Sequence, residues 1–206
     1  MDDTLLKEHW ENVYHAKAEH EVSWYQSYPA TSMEIISSLN LPSNAAIIDI
    51  GGGDSHLAEA LLEKGFTNIH VLDISASAIE RAMTRLGANA SKIHWIVSDV
   101  TELNTHAHFD LWHDRAAFHF LTTEDKISRY VALAEKTLRK DGYLVIGTFS
   151  ESGPTKCSGL DITQYSESTM AQRFGHAFDL VKCQRDNHTT PSGTIQNFLF
   201  CSFRKK

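Results

Sequence analysis

The feature that most constrains the fold of this 206-residue chain is a short apolar run that ends in three consecutive glycines. Residues 45–50 read Ala-Ala-Ile-Ile-Asp-Ile, and Gly51, Gly52 and Gly53 follow directly. A β-branched run of this length is typical of a strand buried on both faces, as in a parallel sheet. Glycines at its end allow a sharp backbone turn and the close approach of a ligand to the main chain. We therefore expect a buried strand and a tight turn that leads into a helix.

Strand-like and helix-like segments alternate from here to residue 149. Apolar runs predict five strands, at residues 45–50, 68–73, 92–98, 109–113 and 143–149. Amphipathic segments predict helices between them, at residues 55–64, 75–86 and 123–139. A turn at Asp141-Gly142 precedes the fifth strand. This alternation is typical of a parallel sheet with helices on both faces.

The two ends of the chain follow other patterns. Before the first strand, an aromatic-rich segment predicts two helices, at residues 4–17 and 31–39. After residue 150 the sequence predicts a helix at 166–174 and two strands, at 179–184 and 195–203. A polar loop without a helix joins these strands, which indicates an antiparallel pair at the sheet edge. We expect the whole chain, residues 1–206, to form a single domain.

Charge and hydropathy exclude two kinds of partner. The chain has 19 Lys and Arg against 26 Asp and Glu, and this net charge of −7 repels nucleic acid. The densest basic stretch, Arg204-Lys205-Lys206, is expected to be a solvated chain end. No apolar run approaches the roughly 18 residues of a membrane-spanning helix. We therefore expect no nucleic-acid partner and no membrane partner.

The cysteines and histidines indicate neither a disulfide framework nor a metal site. Cys157, Cys183 and Cys201 are widely spaced and form no CxxC pair. A chain without disulfides fits a reducing compartment, so we expect a cytoplasmic location. The scattered His and Cys residues lack the spacing of metal ligands, and we expect no bound metal.

Acidic residues lie at the ends of three successive predicted strands. Asp49, Asp73 and Asp99 belong to the first, second and third strand ends. The carboxyl ends of parallel strands meet at the edge where open α/β sheets bind ligands, so these carboxylates should lie close together. Asp73 could accept hydrogen bonds from both hydroxyls of a ribose, and Asp99 from an adenine amino group. Each residue alone could instead be a helix cap or a loop residue.

Two kinds of ligand suit a glycine turn of this type. One is a dinucleotide, but its G-x-G-x-x-G fingerprint needs a third glycine where this chain has His56. The other is S-adenosylmethionine, whose cationic amino and sulfonium groups suit Asp49 and Asp54. A turn without any ligand is the remaining interpretation.

Residues 45–149 resemble the class I S-adenosylmethionine-dependent methyltransferase family. The matching motifs are the glycine loop at 48–53, Leu72-Asp73-Ile74-Ser75, Ser98-Asp99-Val100, Phe109-Asp110-Leu111-Trp112 and residues 138–144. The resemblance implies a Rossmann-like seven-stranded sheet in the order 3-2-1-4-5-7-6, mostly parallel, with helices on both faces. The seventh strand is antiparallel in that family. Two departures, Ser55 for a usual Gly and Asp141 for a usual Pro, remove no ligand group.

The resemblance also implies how the chain is divided and which residues form its site. An N-terminal helical lid segment takes residues 1–42, a cofactor-binding core 43–150, and a substrate-side loop with the antiparallel strands 151–206. The residues expected to bind the cofactor are Trp10, Tyr14, Trp24, Asp49, Gly51, Gly53, Asp73, Ile74, Asp99, Val100 and His113. The residues expected to be catalytic are His113, Arg115 and His119. The residues expected to border the substrate are Trp10, Tyr14, Trp24, Tyr25, Arg115, His119 and Cys157.

Several of these assignments have a purely structural alternative. The aromatic N-terminal residues could cover the cofactor, or they could only be the buried face of a packing helix. The pair Asp114-Arg115 could orient an anionic substrate, or it could tie a loop to the sheet. Cys157 could touch a soft substrate or simply be buried. A general base is needed only for an acceptor that is protonated at neutral pH, and the candidates are His113, His119 and His188.

The sequence thus predicts a methyltransferase of class EC 2.1.1 that uses S-adenosylmethionine and releases S-adenosylhomocysteine. The acidic charge, together with the expectation that no further domain grips a macromolecule, favours a small molecule as methyl acceptor. A protein lysine methyltransferase is the alternative among enzymes, since the N-terminal aromatic motifs are similar to lids of such enzymes. A non-catalytic relative that binds the cofactor or a partner is the alternative from another class.

Overall fold

The structure is a computed structural model that describes residues 3–206, so residues 1 and 2 of the expected lid segment lie outside it. Seven strands form one sheet: β1 (Ala46–Ile50), β2 (Asn68–Asp73), β3 (Ile93–Val97), β4 (Phe109–Arg115), β5 (Leu138–Phe149), β6 (Phe178–Thr189) and β7 (Ile195–Lys205). Their order across the sheet is 3-2-1-4-5-7-6. Strands β1 to β5 are parallel, while β7 runs antiparallel to both β5 and β6. The predicted Rossmann-like fold class is confirmed.

The helices lie close to their predicted positions. They are α1 (Asp3–Ala16), α2 (Ala30–Ser38), α3 (Leu57–Glu63), α4 (Ala76–Leu86), α5 (Glu124–Thr137) and α6 (Glu167–Phe174). Helix α4 begins after Ser75, whose side chain accepts a hydrogen bond from the Ala78 N–H at 3.2 Å. A serine N-cap satisfies one of the free N–H groups in the first helical turn, which is why the helix begins there.

The core has a separate hydrophobic layer on each face of the sheet. Strand β1 contributes to both layers, with Ile48 and Ile50 on one face and Ile47 on the other. Helices α5 and α6 cover the first face through Tyr130 and Phe174. Successive side chains of a strand point to opposite faces, so a strand covered on both sides must be apolar throughout. This explains the apolar run, interrupted only by Asp49, from which the fold was predicted.

The C-terminal strands extend further than the hydrophobic pattern predicted. Strand β6 was expected to end at residue 184, but it continues through Arg185, Asp186 and Asn187 to Thr189. β6 is the edge strand of the sheet, and charged side chains are common on such edges. The polar half of β6 therefore carries no hydrophobic signal, although it pairs with β7 along its whole length.

One prediction about the cysteines was wrong. Cys183 in β6 and Cys201 in β7 face each other in the antiparallel register and form a disulfide, with their Cα atoms 4.1 Å apart. Their sequence separation of 18 residues follows no motif, and only the register of the hairpin brings them together. Cys157 is free and buried. The cytoplasmic location that we expected from an absence of disulfides loses that support and stays a prediction.

Within residues 3–206, none of the helices combines the length and the apolar character that crossing a membrane requires.

Candidate functional site

The glycine turn after β1 lies against the end of β2. The N–H groups of Gly51 and Gly52 donate to the Leu72 carbonyl at 2.8 and 3.2 Å. Gly51 has a φ of +66°, and a Cβ there would lie 2.8 Å from the Cβ of Ala117. A side chain at Gly51 would therefore be strained by its backbone and blocked by its neighbour.

Asp73 at the end of β2 holds this turn in place. Its Oδ2 accepts the Gly53 N–H at 3.0 Å, and its Oδ1 accepts the Ser75 N–H at 2.8 Å. A Cβ on Gly53 would lie only 2.7 Å from that same Oδ2. Burial raises the pKa of Asp73 to about 6, although the two N–H donors oppose the rise. Each carboxylate oxygen keeps a lone pair for a further donor.

A cavity that we call the aromatic cavity opens beside Asp73. Its walls include Asp73, Ile74, Asp99 and Val100 on the sheet side, and Trp10, Tyr14, Trp24 and Phe120 opposite them. Asp99 is fixed by the N–H and hydroxyl of Thr101, which donate to its Oδ1 at 2.7 and 2.8 Å. The cavity therefore combines apolar and aromatic walls with two carboxylates held at strand ends.

A second cavity, which we call the glycine-loop cavity, lies on the other side of Gly51. It is lined by Gly51, Gly52, Asp49, His113 and Arg115, among others. The Oδ1 of Asp49 contacts His113 Nδ1 at 2.7 Å, and Nε2 of that histidine contacts Ser32 Oγ at 2.9 Å. Both ring nitrogens of His113 are thus engaged. Ser32 holds the ring through Nε2, and the ring in turn orients the Asp49 carboxylate through Nδ1.

The second oxygen of Asp49 is a buried acceptor without a hydrogen-bond partner among residues 3–206. A Cβ on Gly52 would lie 2.2 Å from this Oδ2, so glycine keeps the space beside it open. A buried carboxylate oxygen without a donor is costly unless a ligand supplies one. The arrangement suits a cationic amino group.

Asp114 and Arg115 do not form the pair that their adjacency suggests. Asp114 accepts the N–H groups of Ala117 and Phe118 at 2.9 and 3.1 Å and the Tyr130 hydroxyl at 2.7 Å. Burial raises the pKa of Asp114 to about 6. Neighbouring residues of a strand point to opposite faces, and Arg115 lines both cavities instead. Asp114 therefore fixes the loop after β4, and Arg115 faces the site.

Helix α1 covers the aromatic cavity and is attached to α4 at two places. Glu11 accepts hydrogen bonds from Ser75 Oγ, the Ala76 N–H and the Ser77 N–H at 3.0, 2.7 and 3.2 Å. At the other end of α1, Arg81 donates to the carbonyls of Tyr14 and Lys17 at 3.1 and 2.9 Å. An acidic side chain at a helix N-terminus and a basic one at a C-terminus are both favoured by the helix dipole.

The aromatic residues of the N-terminal segment pack on one another over the cavity. The Trp10 ring lies edge-on to Trp24 and Phe120, at centroid distances of 5.6 and 5.1 Å, and Tyr14 lies 6.3 Å from Trp24. Trp10 and Tyr14 are buried, yet all four rings line the aromatic cavity. Trp10 and Tyr14 thus belong both to the buried face of α1 and to the wall of the cavity, so the two interpretations of this segment are compatible.

Three residues expected near the site are engaged with other groups of the chain. His119 packs between Phe120 and Phe149 outside the lining of both cavities, and burial together with Arg115 lowers its pKa to about 3. His188 contacts the Ser23 carbonyl through Nε2 at 2.7 Å. Asp54 lines the glycine-loop cavity but is ion-paired with Arg81 and Arg85, so the expectation that it faces a cationic ligand stays a prediction.

Tyr25 and Cys157 lie on different sides of the site. Tyr25 lines the glycine-loop cavity beside His56, whereas Cys157 lines the aromatic cavity. Cys157 belongs to a short hairpin, Lys156–Cys157 paired with Leu160–Asp161, whose Ser158 contacts His9 of α1 at 3.3 Å. Burial raises the pKa of the Cys157 thiol to about 11.

Sequence reasoning missed several residues that shape the site. They are Glu11 and Arg81, which attach α1 to α4, and Ser32, which contacts His113. A signal existed for Glu11, since an acidic residue between two aromatic ones on a helix needs a partner. Ser32 and Arg81 carried none, because their roles depend on contacts between distant segments.

Comparison with known proteins agrees with this geometry. A family model described as "Methyltransferase domain" matches residues 47–142. The chain is 23% identical over 195 residues to EEF1A lysine methyltransferase 2 of Homo sapiens, covering 85% of this chain and 75% of that protein. It is 23% identical over 132 residues to the ubiquinone biosynthesis O-methyltransferase of Rickettsia felis, covering 64% of this chain and about half (52%) of that protein.

A solved structure is similar over almost the whole chain. It is Burkholderia thailandensis 1,6-didemethyltoxoflavin-N1-methyltransferase with bound 1,6-didemethyltoxoflavin and S-adenosylhomocysteine. The TM-score is 0.73 and the sequence identity 22%, covering 98% of this chain and 88% of that one. At this level of identity the likeness concerns the fold.

Proposed function

We propose that this chain, whose residues 47–142 match a family model described as "Methyltransferase domain" and whose fold is similar to that of a methyltransferase with bound S-adenosylhomocysteine, transfers a methyl group from S-adenosylmethionine to a nucleophilic atom of a small molecule. The observation that carries the proposal is the covered aromatic cavity. Helix α1 and the 156–161 hairpin meet above it through His9 and Ser158. A partly covered, mostly apolar cavity with a few placed polar groups is typical of small-molecule binding.

The residues that line the two cavities fit the methyl donor. We assign its amino group to the unpartnered Oδ2 of Asp49, its ribose hydroxyls to Asp73, and its adenine to the walls formed by Ile74, Asp99 and Val100. Gly51 and Gly53 leave room that any side chain would fill. When bound, S-adenosylmethionine supplies a methyl group that its positive sulfur has already activated.

The chain itself therefore contributes by positioning the two reactants and by shielding them from water. His113 is a positioning residue in this proposal, because both its nitrogens are engaged and it holds the Asp49 carboxylate. Trp10, Tyr14 and Trp24 exclude water and present aromatic faces to the cationic part of the cofactor. Correct placement of two reacting groups supplies much of the rate of a transfer reaction.

No histidine is assigned a role as general base. His113 has both nitrogens engaged, His119 has a pKa near 3 and lies outside the cavity lining, and His188 contacts a carbonyl. We propose that the acceptor atom carries a free lone pair at neutral pH.

The test is a transfer assay with tritiated-methyl S-adenosylmethionine and a cell extract split into protein and small-molecule fractions. We expect label in the small-molecule fraction with the wild-type protein and, at a cofactor concentration that does not saturate the variant, much less with Asp73→Asn. Label on lysine in the protein fraction would support the alternative that the similarity to EEF1A lysine methyltransferase 2 suggests. Label in neither fraction, with S-adenosylhomocysteine still bound, would point to the non-catalytic alternative.

A further inference from the structure

The Arg115 guanidinium is the least satisfied charged group of the site. Its Nη1 donates to the Trp24 carbonyl at 3.0 Å, and its carbon lies 4.8 Å from the centroid of the Phe198 ring. Its Nε and Nη2 are buried and have no hydrogen-bond partner within residues 3–206. A buried charged donor without a partner is costly, so a fold that retains one leaves it available to something else.

The surroundings of Arg115 do not neutralise it. In the described part of the chain it forms no ion pair, and the carboxylates of Asp186 and Asp49 act on it only from a distance. Asp49 is engaged with His113, and Asp114 points to the other face of β4. Burial lowers the pKa of Arg115 to about 10, so it remains charged at neutral pH.

The two free nitrogens have a geometry that selects their partner. Nε–H and the adjacent Nη2–H lie on one side of the planar guanidinium and point the same way. This is the side-on fork that receives both oxygens of a carboxylate. Arg115 lies where the two cavities meet, beside Gly51, Tyr14 and Trp24, which line both. An anion bound there would lie next to the place assigned to the methionine part of the cofactor.

We propose that Arg115 binds a carboxylate of the methyl acceptor through Nε and Nη2, so that the acceptor is an anionic small molecule; this rests on the proposed function. The same positive charge disfavours a lysine ammonium group at this position, because like charges in a buried site repel strongly.

The cofactor itself carries a carboxylate, so the experiment must distinguish binding of the acceptor carboxylate by Arg115 from binding of the cofactor carboxylate. We use calorimetry on the wild type, Arg115→Met and Arg115→Lys, with the exposed Arg129→Met as a control that removes the same charge far from the site. The cofactor site is titrated with S-adenosylhomocysteine and with 5′-methylthioadenosine, which lacks the amino-acid part. The acceptor site is titrated, in the presence of saturating S-adenosylhomocysteine, with benzoate and with its uncharged analogue benzamide. Melting temperatures show whether each variant is folded.

We expect the wild type and Arg129→Met to prefer benzoate to benzamide by about 10- to 100-fold, the range for charge-assisted hydrogen bonds. Arg115→Met should lose this preference, and Arg115→Lys should retain part of it, because lysine keeps the charge but not the fork. Affinity for S-adenosylhomocysteine should stay within about threefold. If it fell more than about tenfold in Arg115→Met while 5′-methylthioadenosine binding was unchanged, Arg115 would hold the cofactor carboxylate and the proposal would be overturned. Equal binding of benzoate and benzamide by the wild type would overturn it too.

The labelled-methyl assay provides an independent test of the proposal that the acceptor is anionic. The labelled product of the small-molecule fraction should be retained on an anion-exchange resin at neutral pH, and a product that passes through would contradict the proposal. A complete lack of labelled product would reject the proposed transfer, and the benzoate preference would still decide whether Arg115 binds carboxylates.

Discussion

Asp73 shows how one buried carboxylate can serve both the fold and a ligand. It ties the glycine turn to the start of α4 by accepting two N–H groups, and it lines the aromatic cavity with its remaining lone pairs. Only 4% of Asp73 is exposed, and burial raises its pKa to about 6. Because the folded-state pKa lies above the ordinary value of 3.8, this group reduces stability as the pH rises from about 4 to about 6.

Replacing Asp73 with Asn should weaken S-adenosylhomocysteine binding by about 10- to 100-fold, because the amide offers one acceptor oxygen instead of two. Wild-type affinity should also fall as the pH drops through about 6, where the protonated carboxyl loses acceptor capacity. Calorimetry between pH 5 and pH 8 measures both effects. The exposed Asp125→Asn is the matched control, and an Asp73→Asn affinity within threefold of wild type would refute the ribose assignment.

Tyr130 anchors the loop that carries the site residues after β4. Its hydroxyl donates to Asp114 at 2.7 Å and accepts from Trp112 Nε1 at 2.9 Å, with all three side chains fully buried. Tyr130→Phe leaves a carboxylate oxygen and an indole N–H unpaired, so we expect a loss of about 3 kcal/mol in the free energy of unfolding. Urea denaturation measures it. The control Tyr28→Phe, at a residue that is 54% exposed, should change stability by less than about 0.5 kcal/mol; equal effects of the two variants would contradict this account.

At the scale of elements, α1 is a cover that polar contacts attach to α4 at two places, in addition to the packing of Trp10 and Tyr14. Glu11 meets the first N–H groups of α4, and Arg81 meets the last carbonyls of α1. Burial by itself would raise the pKa of Glu11, but hydrogen bonds from Ser77, Ala76 and Ser75 hold this pKa below its ordinary value of 4.5. A lowered folded-state pKa means that this attachment contributes above about pH 4.5 and is lost as the pH falls below it.

Glu11→Gln should loosen α1, because the amide can accept through one oxygen only. We expect faster proteolytic cleavage within residues 3–16, a changed tryptophan fluorescence from Trp10 and Trp24, and S-adenosylhomocysteine binding weakened several-fold. Bound S-adenosylhomocysteine should slow the cleavage in the wild type. Glu8→Gln alters an exposed residue of the same helix, and identical cleavage rates in the two variants would show that Glu11 does not hold the cover.

At the scale of the whole molecule, the sheet topology decides where these pieces meet. The order 3-2-1-4-5-7-6 puts the ends of β1, β2 and β4 side by side, with the N-terminal helix above them. Residues as distant as Trp10, Asp73 and Arg115 thereby line one cavity. Ligands of open α/β sheets bind at such strand ends, next to the point where the strand order reverses.

A ligand that binds the folded chain here should stabilise the whole molecule. At a concentration of about 100 times its dissociation constant, S-adenosylhomocysteine should add about 2.7 kcal/mol, or roughly 5–10 °C in Tm for a chain of this size. NADH should have no effect, since His56 stands where the dinucleotide fingerprint needs glycine. A thermal melt measures both, and a larger shift with NADH would overturn the assignment of the methyl donor.

Much of this protein follows from local patterns that the sequence alone displays. The apolar run before Gly51 and the alternation of elements predicted a parallel sheet, because hydrophobic period and glycine turns act within a few residues. The resemblance to a known family, carried by the glycine loop and the acids after successive strands, implied the strand order and the methyl donor. The tertiary structure decided what depends on contacts between distant segments. It separated Asp114 from Arg115 across the sheet, joined Cys183 to Cys201 through strand register, and engaged His113 with Asp49 and Ser32. It also left the Arg115 fork unpaired at the centre of the site. Which partner a side chain meets depends on chain topology, and that information is not contained in any short stretch of sequence.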